Sequence, residues 1–113
     1  MKNFYEGFEG EQELVVSLKG GHERTFSAWI GYFDTMMDCV ECGKDGWEGI
    51  ALHYHRDTGF YDGVWRDPNP THTVETLRSV LPRLAGLNLE FAEQFLGLAE
   101  RAAKSGYLEL EIC

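Results

Sequence analysis

Hydrophobic and polar residues alternate from Glu13 to Lys19, with Leu14, Val16 and Leu18 on one side. A period of two is the signature of a strand with one buried face. Gly20-Gly21 marks a turn, and residues 24–34, rich in Thr, Phe, Trp, Ile and Tyr, read as a second strand that closes a hairpin. Residues 34–46 break the alternation and read as a loop, with a short helical turn around residues 35–39. Residues 48–56 read as a third strand, with Ile50, Leu52 and Tyr54 on one face and Ala51, His53 and His55 on the other. Asp57-Thr58-Gly59 then forms a hairpin turn into a fourth strand over residues 60–65.

The period changes after Asp67-Pro68-Asn69-Pro70. Val74, Leu77, Val80, Leu81 and Leu84 recur at helical spacing behind a Thr71 or Thr73 cap, and Pro82 kinks or shortens that helix. Asn88 is expected to cap a second helix with the stripe Phe91, Phe95, Leu98 and Ala102, ended by Gly106. Alternation returns over residues 107–112, with Leu108, Leu110 and Ile112 inward. The predicted order is ββββααβ. That is an α+β domain with an antiparallel four- to five-stranded sheet and two C-terminal helices on one face. One domain covers residues 1–113, and residues 1–10 read as a loose arm or as an edge that docks its rings.

Composition sharpens this picture in one respect. Nineteen acidic residues against ten basic ones give a formal net charge of −9, which repels nucleic acid phosphates and anionic membranes and attracts basic partners. Direct nucleic acid binding is therefore not expected. No apolar run reaches the length of a membrane span, and the chain opens on Met1-Lys2-Asn3-Phe4 without a basic and apolar leader. Three cysteines, an odd and sparse set, point to a reducing compartment, so the expected location is the cytoplasm.

Candidate chemistry concentrates between residues 34 and 55. Cys39-Val40-Glu41-Cys42-Gly43 is a knuckle that can turn two thiolates toward one zinc ion, and His53 and His55 supply two nitrogens to complete a tetrahedral set. On a strand, imidazoles two residues apart are separated by about 6–7 Å, so such a site needs a bulge, or Cys113 in place of one histidine. The same cysteines make poor redox or nucleophilic groups. No βαβ context surrounds them, and the acids nearby raise rather than lower a thiol pKa. Zinc deaminase order is absent, because the cysteine pair precedes the histidines and no Pro precedes Cys39. No phosphate-binding glycine loop is present. His22 and His72 fall at turn positions and read as surface residues, whereas Phe91 and Phe95 read as core.

The feature that stands out is acidic. Asp34, Asp38, Glu41, Asp45 and Glu48 share one irregular segment, flanked by Trp29, Tyr32 and Phe33 on one side and Trp47 on the other. Carboxylates around an aromatic anchor suit a basic protein partner, because charge speeds encounter and the ring holds the complex. The expected function is a small acidic protein-binding module. It would be an inhibitor or immunity protein that neutralises a basic toxin or nuclease, resembling bacterial toxin-immunity proteins in size and charge alone. The partner-binding set is Asp34, Asp38, Glu41, Asp45, Trp47 and Glu48, with no catalytic residues. In a variant of that function, Glu109 and Glu111 would join the loop acids to imitate a phosphate backbone. Two alternatives stand beside it: a zinc-stabilised module using Cys39, Cys42 and His53 or His55, and a ligand-binding or enzymatic domain with a pocket between sheet and helices.

Overall fold

The computed structural model describes residues 4–56 and 63–113. Strands β1 (Glu13–Lys19) and β2 (Arg24–Trp29) form the first hairpin, and helices α1 (Ile30–Asp38) and α2 (Gly49–His55) follow. After β3 (Trp65–Arg66) come α3 (Pro70–Val80), a 3-10 turn at Leu81–Arg83, α4 (Gly86–Lys104) and β4 (Tyr107–Ile112). The sheet is antiparallel throughout, in the order β2-β1-β4-β3. The fold is α+β, as expected, but the described residues hold four α-helices and their order differs from ββββααβ.

One predicted strand is cut short by a helix and another is replaced by one. The second ends at Trp29, and the chain turns into α1 because Tyr32, Phe33, Met36 and Met37 recur at i, i+1, i+4 and i+5, which buries one helical face. The short turn expected around residues 35–39 is the second half of this helix. Residues 49–55 form α2 for the same reason. Ile50 and Ala51 are buried with Tyr54 beside them, whereas Leu52 is 48 % exposed, the opposite of what the strand alternation required. Of the expected hairpin over residues 48–65, the turn at 57–59 and residues 60–62 lie outside the described residues. Among its described residues, Trp65 and Arg66 form the strand β3, which pairs with β4 through Leu110 and Glu109.

The C-terminal half follows the sequence pattern closely. Pro82 sits in the 3-10 turn that ends α3, and Phe91 and Phe95 are fully buried. Caps differ in detail. Asn69, not a threonine, caps α3, its Oδ1 accepting from the His72 N–H at 3.2 Å. Helix α4 starts at Gly86, so Asn88 lies in its first turn. Gly106 ends α4 with φ +87°, and a Cβ there would collide with the Lys19 carbonyl oxygen. Leu14, Val16, Leu18, Phe26, Ala28, Leu108 and Leu110 face the core, and α4 packs against β1 and β4. Helix α3 packs chiefly on α4 instead of on the sheet, and α1 flanks α4 beside β2. The N-terminal segment docks its rings: Phe4 is buried and bridges to Ala28, and Phe8 stacks on Trp29 at 4.3 Å.

One buried polar knot joins the sheet to α3. The Asp67 carboxylate accepts from the Asn69 N–H at 2.9 Å and from the Thr73 hydroxyl, while the Asp67 N–H donates to the Leu108 carbonyl at 2.8 Å. Both Asp67 and Thr73 are buried, so removing either side chain leaves the other's polar atom short of a partner. Asp67→Ala and Thr73→Val should each lower the unfolding free energy by about 1–3 kcal/mol in urea titrations. The double variant should lose less than the sum, since the two changes remove one shared interaction.

Candidate partner-binding cleft

The loop between α1 and α2 is held at both ends. At its start, the Cys39 and Val40 N–H groups donate back to the Met36 and Met37 carbonyls, each at 3.1 Å, and close the last turn of α1. Its tip is a tight turn in which Gly43 and Gly46 exchange backbone hydrogen bonds at 3.2 and 3.0 Å, putting Lys44 and Asp45 at the apex. Arg83, from the turn after α3, fastens the loop to the helix layer. One guanidinium nitrogen donates to the Cys39 carbonyl at 3.2 Å and the other pairs with Glu41. A cation at the C-terminal end of α1 also complements the helix dipole.

Between this loop and the outer side of α3 lies a cleft of about 440 Å³. The loop contributes Glu41, Asp45, Trp47 and Glu48 to its walls, and Val40 and Ala51 add apolar surface. The opposite wall is a polar stripe of α3: His72, Glu75, Thr76 and Ser79, at i, i+3, i+4 and i+7. His72 closes one end. Its Nε2 stands 3.7 Å from Glu48 Oε2, and its Nδ1 is buried against Gly49 without a hydrogen-bond partner among the described residues. Gly49 permits this approach twice over, having φ +59° and no Cβ to strike the imidazole. Trp47 is braced by His55, whose ring stacks on it at 3.7 Å with 19° between planes.

Four of the six residues expected to bind a partner therefore share one cleft. The other two do not line it. Asp34 and Asp38 belong to α1, not to a loop. Asp34 accepts a 2.6 Å hydrogen bond from the Tyr54 hydroxyl and so ties α1 to α2, while Asp38 is exposed at the end of α1. Of the flanking rings, Tyr32 and Phe33 are core and Trp29 packs under Phe8, which leaves Trp47 as the ring of the cleft. Glu75, Arg83 and a half-buried His72 were not legible as site residues. The polar stripe of α3 can be read from its period, but nothing local says that the loop faces it. The space between sheet and helices, where a ligand pocket was an alternative, is filled by Phe33, Phe91 and Phe95.

Among the described residues the proposed zinc ligands do not converge into one set. Residues 53 and 55 lie on opposite sides of a helix, as they would not on a strand. His53 stacks on Trp65 at 4.8 Å, and His55 stacks on Trp47. Cys39 lines the cleft, Cys42 is exposed, and among the described residues no three His, Cys, Asp or Glu side chains converge on a metal position. Cys113, the substitute ligand, is held in its thiol form. Its Sγ donates to Glu111 Oε1 at 3.3 Å, and this bond, partial desolvation and the charges of Glu111 and Glu13 raise its pKa above that of a free thiol. No helix is long and apolar enough to cross a membrane among the described residues. Compared with protein families, curated proteins and solved structures, the chain matches none.

Two outcomes follow for the cysteines. Cys42→Ser should change the unfolding free energy by no more than about 0.5 kcal/mol, the range of exposed substitutions, in preparations made with or without zinc. A raised pKa means less thiolate at a given pH, so Cys113 should alkylate slowly near neutrality. Glu111→Ala should speed that reaction and move its rate profile to lower pH, read by mass spectrometry of iodoacetamide-treated protein.

Proposed function

We propose that this protein is an acidic protein-binding module, an inhibitor or immunity protein of the kind bacteria pair with basic toxins or nucleases. The observation that carries the reading is the convergence of Glu41, Asp45, Trp47 and Glu48 on one cleft, with Glu75 facing them from α3. Acidic residues scattered by a need for solubility have no reason to gather around an aromatic ring. Gathered there, they give a docking face with the two parts such faces need: a field that steers a basic partner and a ring that holds it. The formal charge of −9 supports fast capture of a basic protein. Three free cysteines suit the reducing cytoplasm, where such a protein would meet a toxin before harm is done.

The loop is also built to bind without rearranging. The Arg83 clamp, the Gly43–Gly46 turn and the His55–Trp47 stack fix its shape in advance, which lowers the entropy lost on association. Asp45→Lys combined with Glu48→Lys should leave folding intact, because both side chains are exposed. Against a basic protein captured with the wild-type chain at low salt, this variant should associate at least about tenfold more slowly. A control of equal net charge, Glu23→Lys with Glu93→Lys outside the cleft, should associate much closer to the wild-type rate. Equal loss in both variants would mean that overall charge, not the cleft, does the binding.

A further inference from the structure

We infer that the cleft receives a single guanidinium-bearing side chain of the partner, held between Glu75 on α3 and Asp45 and Glu48 on the loop. The inference rests on the proposal that the chain binds a basic protein, and it adds how that protein is gripped. A flat acidic loop would offer its carboxylates to solvent one by one. Here they line a recess with two walls, and its 440 Å³ falls within the range of about 300–1,000 Å³ typical of sites that enclose a small group.

The charges of the walls decide what fits chemically. Glu41 is already paired with Arg83. Glu75 and Asp45 pair with no basic group among the described residues, and the neighbour of Glu48 is His72 at 3.7 Å. Against these three carboxylates stands Lys44, exposed at the loop tip. Glu41, Asp45, Glu48 and Glu75 outnumber Lys44 and Arg83 in the lining, so the recess is left with an excess of negative charge, supplied by two separate elements. Walls of lower dielectric than water concentrate that field in the gap between them.

A guanidinium answers this arrangement better than an ammonium. Its planar fork carries five donors and can reach carboxylates on both walls together with the Thr76 and Ser79 oxygens. It is also less strongly hydrated, so entering a half-enclosed recess costs it less. Its methylene stem would lie on Val40, Ala51 and Trp47, the apolar part of the lining. Glu75 is exposed and forms no ion pair among the described residues, so its carboxylate can serve a partner without loss of an ion pair seen there.

The probe is a pair of short peptides, acetyl-Gly-Arg-Gly-amide and its citrulline counterpart, which has the same shape and no charge. Titrated into isotope-labelled protein, the arginyl peptide should shift the backbone amide signals of residues 44–48 and 75–79, and the citrulline peptide should leave them in place. Glu75→Gln should weaken arginyl-peptide binding about threefold or more, the size of a partly screened charge pair, with an unchanged unfolding midpoint. Ser79→Trp, which fills the recess, should abolish it. Shifts confined to other surfaces, equal shifts with both peptides, or no effect of Glu75→Gln would overturn the inference. The same variants separate it from the function proposed above. A basic partner lost from the Asp45/Glu48 variant but bound normally by Glu75→Gln and Ser79→Trp would keep the docking face and overturn the arginine recess. Absence of any basic partner would overturn the docking face itself.

Discussion

Everything in this molecule hangs on the burial of Phe91 and Phe95, one turn apart on α4. Phe91 lies about 6.0 Å from the rings of Phe4, Phe26 and Tyr32, and Phe95 stands 6.4 Å from Phe26 and 6.2 Å from Phe33. These rings come from the N-terminal segment, β2 and α1, so two side chains fix three parts of the chain at once. Truncating one buried phenylalanine commonly costs about 3–5 kcal/mol, a large share of the stability of a domain this size. The cleft is a consequence of that arrangement. Helix α1 is seated on α4 by Phe33, and α3 packs on α4 independently. The loop that leaves α1 therefore faces α3 across a gap that neither element fills.

Electrostatics then determine the character of the gap. Arg83 could have neutralised any of several acids, but it spans Glu41 and the Cys39 carbonyl, where it closes the loop against the end of α3. That use of the cation is structural, and among the described residues it leaves Asp45 and Glu48, further along the loop, unpaired with any arginine. Lys19–Glu109 and Arg78–Glu100 are likewise spent elsewhere on the surface. The excess negative charge of the chain is thus not spread evenly, and the recess between two elements is one of the places where it is left uncompensated.

The sequence disclosed the C-terminal half better than the middle, for a physical reason. In α4 the apolar stripe is long and regular, and β4 alternates without exception, so a single periodicity dominates each window. Residues 24–34 are rich in aromatic and β-branched residues that favour strands by propensity, and residues 48–56 are a short stretch whose alternation imitates one face of a strand. Positions 50, 52 and 54 mimic a strand face, yet the partners that bury Ile50, Ala51 and Tyr54 lie on one side of a helix, and tertiary packing overrides local preference. The acidic loop was legible because charge and glycine need no partner to be recognised. Its opposite wall was not, since the contact between residues 39–48 and residues 72–79 is set by how α1 and α3 each pack on α4.

The helical state of residues 49–55 also links the misread element to the site. On a strand, His53 and His55 would project together and invite a shared ligand. On α2 they diverge, and each imidazole is laid flat on a different tryptophan, Trp65 or Trp47. His55 therefore contributes to the cleft by holding Trp47 in the wall. Helix α2 begins at Gly49, where the bare Cα lets His72 close the end of the recess beside Glu48. The same seven residues that break the predicted sheet thus brace the ring of the cleft and fix its end. A strand over residues 48–56 would have removed the recess and left only a charged loop.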